Sequence, residues 1–299
     1  MPGRKKPSPA TAGRAAVLAL ILGGILNVPQ ARAQSYATTP LAFEAASVKQ
    51  NKSTEMRGMG WRFLPGGKFR ATNLPLYAII AIAYDVAPQS ARLSGGPAWA
   101  RSEKYDIEAT PGTSAIPPGL SAKAREDRAR VMLQALLADR FKLNVRRETK
   151  QLPAYVVVPA KNGPKLKTAN IQENDCPEAP PADGGLPCHV INGGMGRGLH
   201  AKAVTVSDIL SFVENWSDRP IVDKTGIQGL FEVETDGFAP LRSRPIPPGA
   251  EPSAEDIAIA DPARPTVFMI FDRLGLKMES QRAPVEVFVI DHVEKPSEN

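Results

Sequence analysis

The 299-residue chain is poor in the residues that build metal centres, redox sites and hydrolase active sites. It contains two cysteines and three histidines, with no C-x-x-C and no H-E-x-x-H motif. It also lacks a G-x-S-x-G pentapeptide, and no serine is followed by lysine three positions later. The sequence therefore predicts no catalytic residues, no metal site and no cofactor.

A surplus of positive charge is also missing from most of the chain. The formal net charge of +6 includes five cations in residues 1–33, which contain no acidic residue, and without those five it falls to +1. A nucleic-acid interface needs clustered lysine and arginine. We therefore expect no nucleic-acid partner, and the expected partner is an envelope protein or a small ligand.

The N-terminus has the pattern of a secretory signal peptide, assigned to residues 1–33. Positive residues precede an apolar run, Ala15–Leu26, and Ala31-Arg32-Ala33 is an A-x-A site. We predict cleavage between Ala33 and Gln34 and export to the periplasm or the extracellular space. The apolar run is shorter than the roughly 20 residues of a membrane span. An uncleaved anchor is the alternative, and no later segment has the length to cross a bilayer.

The two cysteines, Cys176 and Cys188, both follow the predicted cleavage site. An even pair in an oxidising compartment favours a disulfide, here across a loop rich in proline and glycine. Closing so short a loop contributes about 3 kcal/mol on the chain-entropy model. A redox centre is the alternative, which the absent C-x-x-C spacing disfavours.

The chain contains an internal duplication with a period near 130 residues. Arg128–Val158 recurs as Thr266–Ile290, and an apolar helical face recurs at a constant offset. The four residues of that face are Leu76, Ile79, Ile80 and Ala83 in the first copy, and Val206, Ile209, Leu210 and Val213 in the second. We predict that Asn73 caps the first of these helices and that Thr205 with Asp208 starts the second in the manner of a capping box.

Each copy predicts the order strand–helix–strand–helix–strand–strand, with Pro153 and Pro284 near the turns between the last two strands. Because every helix needs a sheet to cover its apolar stripe, the fold class is α+β, with helices packed on a mixed or antiparallel sheet. We define the first half as residues 34–165 and the second half as 166–299, which carries the cysteine loop 176–188.

One short motif and one histidine are candidates for an active or binding site. Asp223-Lys224-Thr225-Gly226, with Gly229 beyond it, contains the K-T-G of serine β-lactamases, but the accompanying motifs are absent and we predict a turn before a strand. His189 with the acidic residues of the cysteine loop is the one alternative site that the histidines offer. The tryptophans Trp61, Trp99 and Trp216 are predicted to pack in the core or between layers rather than to form a stacking platform for nucleic acid.

Six blocks of the sequence resemble one known family. They are FEAASVKQN, GGKFRATNLPLYAIIAIAYDV, LSGGPAWARSEKYDIEA, LLADRFKLNVRRETKQLPAYVV, RPIVDKTGIQGLFEVE and VFVIDHVEKPSEN. They are similar to the soil-associated family of exported bacterial proteins, an uncharacterised domain with many paralogues in soil bacteria, over roughly residues 43–299. The resemblance implies no activity, cofactor or catalytic residue. Similar domains attached to membrane sensor-peptidase proteins imply a role in sensing or binding.

The absent catalytic motifs and the duplicated plan together favour a non-catalytic binding or interaction domain outside the cytoplasm. The groove between the two halves is the expected binding site, since ligand sites favour such interfaces. An exported hydrolase acting on envelope or environmental material is the second hypothesis, and an extracytoplasmic sensor component is the third.

Overall fold

The computed structural model describes residues 41–53, 58–177, 181–182, 184–194, 196–239, 241 and 263–296, and these contain twelve strands and five α-helices. The strands are β1 (Phe43–Asn51), β2 (Gly60–Leu64), β3 (Lys68–Pro75), β4 (Leu93–Gly95), β5 (Lys104–Pro111), β6 (Asn144–Pro159), β7 (Lys167–Thr168), β8 (Asn192–Gly194), β9 (Gly198–Val204), β10 (Ile221–Asp223), β11 (Phe231–Glu234) and β12 (Leu276–His292). The helices are α1 (Leu76–Ala83), α2 (Trp99–Ser102), α3 (Ala122–Arg140), α4 (Val206–Glu214) and α5 (Val267–Arg273). The predicted α+β class is confirmed.

The first sheet lies in the first half and is antiparallel, with the strand order β1-β5-β3-β2. Alternate residues of β3 and β5, such as Phe69 and Ile107, are buried in one core with α1 and α3. The opposite face is polar and carries an exposed pair between Arg70 and Glu108. The spacing of the apolar residues in α3 predicts a single buried stripe, and all five of its members are buried: Ala129, Met132, Leu133, Leu136 and Leu137.

The second sheet repeats this order in the second half, as β7-β11-β9-β8, and is also antiparallel. The predicted face of α4 is buried beside Phe271 of α5. The capping box is confirmed, because the Thr205 backbone N–H donates to Asp208 Oδ2 at 2.8 Å and the Asp208 N–H donates to Thr205 Oγ1 at 3.0 Å. This box fixes where α4 begins and how the Asp208 carboxylate is held.

The third sheet joins the halves and has the order β10-β6-β12-β4. The long strands β6 and β12 pair antiparallel along their whole length, and β10 and β4 flank them in parallel. The prediction of two short strands and a turn was therefore wrong. Pro153 lies opposite Arg282 and Pro284 opposite Gln151, inside the ribbon. Each proline removes one ladder donor, and the pairs on both sides still hold the strands together.

The two long strands contribute to both cores. Phe288 and Ile290, from the end of β12, are buried in the core of the first half. Tyr155 and Val157, from the end of β6, are buried in the core of the second. Residues 40–299 accordingly form one compact unit. The proposed boundary between 165 and 166 stays a prediction.

The start of α1 differs from the predicted one. The helix begins at Leu76 without a side-chain cap, and its first N–H donates to the carbonyl of Glu103 at 3.2 Å. Asn73 lies in β3 with a positive φ of 56°, and its backbone N–H donates to Asp106 Oδ1 at 2.7 Å. The assignment of Asn73 as the N-cap was wrong because the backbone carbonyl of Glu103, between α2 and β5, accepts from the first N–H of the helix in place of a local side chain.

Two expectations concern the N-terminus and membranes. The predicted cleavage site at Ala33 and Gln34 lies outside the described residues. Among the described helices, none has both the length and the apolar character needed to cross a membrane.

Candidate functional site

An open groove of about 600 Å³ lies between the two halves. The first half contributes strand β2, the loop after α1 and the first turns of α3, and the second half contributes residues 189–191, which follow the cysteine loop, and α4. The residues that line it are Trp61, Arg62, Phe63, Ile82, Asp85, Val86, Ala87, Pro88, Lys123, Glu126, Arg130, His189, Val190, Ile191, Ser207, Asp208, Ser211, Phe212 and Asn215. We call this site the inter-half groove.

Helix α4 presents a polar face to the groove because of its amphipathic pattern. Its residues 206, 209, 210 and 213 are apolar and buried. Ser207, Ser211 and Asn215 follow one another at intervals of four and therefore share the other side of the helix. This side presents hydroxyl and amide groups that can hydrogen-bond to a ligand.

His189 lies between two carboxylates at the edge of the groove. Its Nδ1 is 2.7 Å from Asp208 Oδ2 and its Nε2 is 2.9 Å from Glu173 Oε2. Burial lowers the pKa of His189, but the hydrogen bonds and charges of the two carboxylates outweigh burial and raise the pKa above its ordinary value. Burial likewise raises the pKa of Asp208, while His189 and the backbone N–H of Thr205 lower it more strongly, so that it lies below the usual value.

The chemistry of this triad follows from its geometry. A protonated imidazole donates both of its N–H groups, one to each carboxylate. In that state neither ring nitrogen has a lone pair to accept a proton from a substrate. In its protonated form His189 therefore clamps Glu173, which precedes the cysteine loop, to the start of α4.

A second charged cluster forms the first-half wall of the groove. Asp85 follows α1 with a positive φ of 53°, and its carboxylate lies 2.9 Å from Arg130 Nη2 and 3.7 Å from Lys123 Nζ. Arg130 also pairs with Glu126 and donates to the carbonyl of Ile82. Burial lowers the pKa of Lys123, but its acidic neighbours raise it by more, so the ammonium stays charged. These contacts fix the ionic side chains in place.

Aromatic rings flank this cluster. The Trp61 side chain is 44% exposed and meets Phe63 edge-on at 5.6 Å between ring centroids. The Arg130 guanidinium lies 5.3 Å from the centre of the Phe63 ring. The prediction that Trp61 packs in the core was wrong, because β2 is an edge strand with its side chains at the mouth of the groove. Trp99 and Trp216 do pack against the two cores.

A second cavity, of about 510 Å³, adjoins the groove and shares with it the loop 85–87 and the residues Ser207 and Ser211. At its wall the carboxylate of Glu214 accepts from Arg92 Nε at 2.9 and 3.1 Å, from the backbone N–H of Ile221 at 2.8 Å and from the Ser90 hydroxyl. Arg92 Nη2 also donates to the carbonyl of Ile221 at 2.6 Å. The network connects the loop before β4 with α4 and β10, and therefore connects the halves.

The residues singled out from the sequence are distributed over the second half. Cys176 and Cys188 form a disulfide. In the predicted turn, both the N–H and the hydroxyl of Thr225 donate to Asp223 Oδ1, at 2.8 and 2.7 Å. Gly226 and Gly229 have positive φ values of 65° and 106°, which glycine adopts readily because it has no side chain. Asp223 lines the second cavity, and Lys224 continues β10 through a backbone bond to Val157.

The acidic residues of the cysteine loop, which were the predicted partners of His189, lie outside the described residues, and the two partners that the structure shows come from elsewhere. Glu173 precedes the cysteine loop and Asp208 lies on α4, 16 and 19 residues away from His189. The capping box predicted the place of the Asp208 carboxylate, and the disulfide brings Glu173 and His189 together. Neither signal places these two residues beside Asp208, because that contact depends on how α4 packs. His200 and His292 instead make exposed pairs with Glu234 and Glu294.

Comparison with known proteins places the chain without naming an activity. No curated protein and no solved structure matches it. A family model described as a protein of unknown function (DUF3738) matches residues 77–293, more than two thirds of the chain. The match includes all of α1 except its first residue, the clamp of His189 and both long strands in full. The chain therefore belongs to the DUF3738 family.

Proposed function

We propose that the chain is an exported, non-catalytic binding domain that holds its ligand in the inter-half groove. The observation that carries this proposal is the state of the ionic groups in the groove. Asp85, Lys123, Arg130, His189 and Asp208 are all engaged in ion pairs. Acid–base catalysis needs a group with a free lone pair or a transferable proton aimed at the substrate. Paired groups instead give a fixed surface, which favours binding.

The chemistry of the groove favours a ligand with both an apolar face and hydroxyl or amide groups. Trp61 offers a large exposed ring on which a flat apolar face can stack. Ser207, Ser211 and Asn215 on the opposite wall offer hydrogen bonds. Sugars combine C–H faces with hydroxyl and acetamido groups. An oligosaccharide, such as a fragment of the cell-wall glycan, therefore fits this surface.

Export is supported by the signal-peptide pattern and by the disulfide between Cys176 and Cys188. Export is tested by producing the full chain in a bacterial host and sequencing the N-terminus of the protein that is recovered outside the cytoplasm. A chain that begins at Gln34 is the expected result. A chain recovered in the cytoplasm with residues 1–33 intact would contradict the proposal.

Binding is tested by titrating residues 34–299 with soluble cell-wall glycan fragments, following tryptophan fluorescence and the thermal midpoint. A ligand at about 100 times its dissociation constant stabilises the fold by about 2.7 kcal/mol. Trp61→Ala is expected to weaken binding at least about tenfold, as for an aromatic anchor. Met269→Ala is the matched control, since Met269 is 49% exposed on α5 and lies outside the groove. Equal binding by both variants, or no binding by the parent chain, would contradict the proposal.

A further inference from the structure

A cluster of three metal-ligating side chains lies beside the groove. One donor atom each of Glu173, Cys176 and His189 falls within 4.8 Å of the other two. A tetrahedral zinc ion with bonds of 2.0–2.3 Å separates its ligand atoms by about 3.5 Å. A contraction of roughly 1 Å would therefore bring the three atoms to coordination distance. His189 also lines the groove, which gives an ion a route from solvent.

The disulfide keeps this cluster closed. The sulfur of Cys176 is bonded to that of Cys188, and the metal-binding form of cysteine is the thiolate. Reduction of the disulfide frees two sulfur atoms as possible ligands. The Cys176 sulfur already lies beside His189 and Glu173, and the Cys188 sulfur is bonded to it in the oxidised chain. A set of imidazole, carboxylate and one or two thiolates suits zinc.

The surroundings of His189 already match those of a metal-bound histidine. Such a histidine coordinates through one ring nitrogen and donates the other N–H to a carboxylate, which fixes the ring. Nδ1 of His189 meets Asp208 Oδ2 at 2.7 Å, and the same carboxylate oxygen accepts from the backbone N–H of Thr205. The helix cap thus holds the supporting carboxylate. Nε2 is left to face Glu173, on the side of the cluster.

We propose that the reduced chain binds one zinc ion through Cys176, His189 and Glu173, with Cys188 or water as the fourth ligand, and that the disulfide closes the site. A dithiol supplies the two electrons and two hydrogens: it becomes a disulfide, the S–S bond breaks, and each cysteine becomes a thiol. Zinc then replaces the proton of the Cys176 thiol and the proton on Nε2 of His189, and both protons pass to water. A small-molecule disulfide reverses the step: it accepts the two electrons and two protons and becomes two thiols, the bond between Cys176 and Cys188 re-forms, and the ion is released.

The test compares oxidised and reduced forms of residues 34–299. The chain is reduced with dithiothreitol, freed of it by anaerobic gel filtration and titrated with zinc against a chromophoric chelator. One ion per reduced chain, bound at least 100-fold more tightly than by the oxidised chain, is expected. Cobalt as a replacement ion should give a thiolate-to-cobalt charge-transfer band in the reduced form alone. A reduced chain that binds no stoichiometric zinc, or that has lost its near-ultraviolet circular dichroism, would overturn the proposal.

Variants assign the ligands. His189→Asn keeps a residue that tolerates the positive φ of 60° at this position, and it should weaken zinc binding by at least 100-fold. Asp208→Asn, which removes the supporting carboxylate, should weaken it 10- to 100-fold. His200→Asn is the matched control, because His200 also pairs with a carboxylate but lies outside the cluster. If His189→Asn and His200→Asn bind zinc equally well, the site is elsewhere and the proposal fails.

Discussion

Replacing Glu214 by alanine should destabilise the protein more than any exposed ion-pair substitution. The side chains of Glu214 and Arg92 are only 6% and 19% exposed, and the substitution leaves the Arg92 guanidinium, the Ser90 hydroxyl and the Ile221 N–H without their acceptor. Removing one member of a buried pair costs about 3–5 kcal/mol. At about 2–4 °C per kcal/mol for a domain of this size, the thermal midpoint should fall by about 6–20 °C.

The assay is a double-mutant cycle that combines Glu214→Ala with Arg92→Ala, followed by urea and thermal unfolding of residues 34–299 in oxidising buffer. Because the two side chains share hydrogen bonds, the double variant should lose clearly less than the sum of the single losses. Glu232→Ala is the control: Glu232 pairs at 2.6 Å with Lys167, which is 72% exposed, and such pairs contribute about 0–1 kcal/mol. Additive losses, or a loss below about 1 kcal/mol for Glu214→Ala, would refute the idea that this network holds the halves together.

Three further predictions concern the second half. Because the pKa of His189 is raised from 6.5 in the folded state, its clamp stabilises the fold below pH 6.5 and weakens as the pH rises through the folded-state pKa. Between about pH 6 and pH 9 the oxidised parent chain should therefore lose more free energy of unfolding than His189→Asn. Equal slopes of unfolding free energy against pH for the two proteins would contradict this. Replacing both Cys176 and Cys188 by serine should cost about 3 kcal/mol in urea unfolding, with no change expected on adding reductant to that variant. Thr205→Ala removes the cap of α4 and should cost about 1 kcal/mol, whereas an unchanged midpoint would show that the cap is dispensable.

Local patterns predicted much of the fold. The stripe of α3 and the capping box at Thr205 and Asp208 follow from spacing alone, because helix faces and caps depend on neighbours within one turn. The single long strands were missed for a tertiary reason. Their middle, including Arg147, Pro284 and Glu286, faces the second cavity, so the apolar alternation that marks a strand is interrupted there.

The candidate site was harder to predict than the fold. An inter-half groove was expected as the binding site, but its lining depends on which residues two separate sheets bring together. Trp61 is exposed because β2 is an edge strand, and strand order cannot be read from residue pattern. His189 was noticed as a residue, whereas its clamp requires Asp208 from another element. Long-range pairings of this kind arise from topology and leave no local periodicity.

The shared ribbon also governs when the protein can fold during synthesis. A chain leaves the ribosome from its N-terminus, and domains generally fold as units as they emerge. The core of the first half needs Phe288 and Ile290, which lie in β12 and are made long after α3. Its helices and first sheet are therefore made while the part of their apolar surface that β12 covers is still exposed to solvent. The first half of a nascent chain therefore stays incompletely folded until β12 has been made, and its folding is tied to that of the second half.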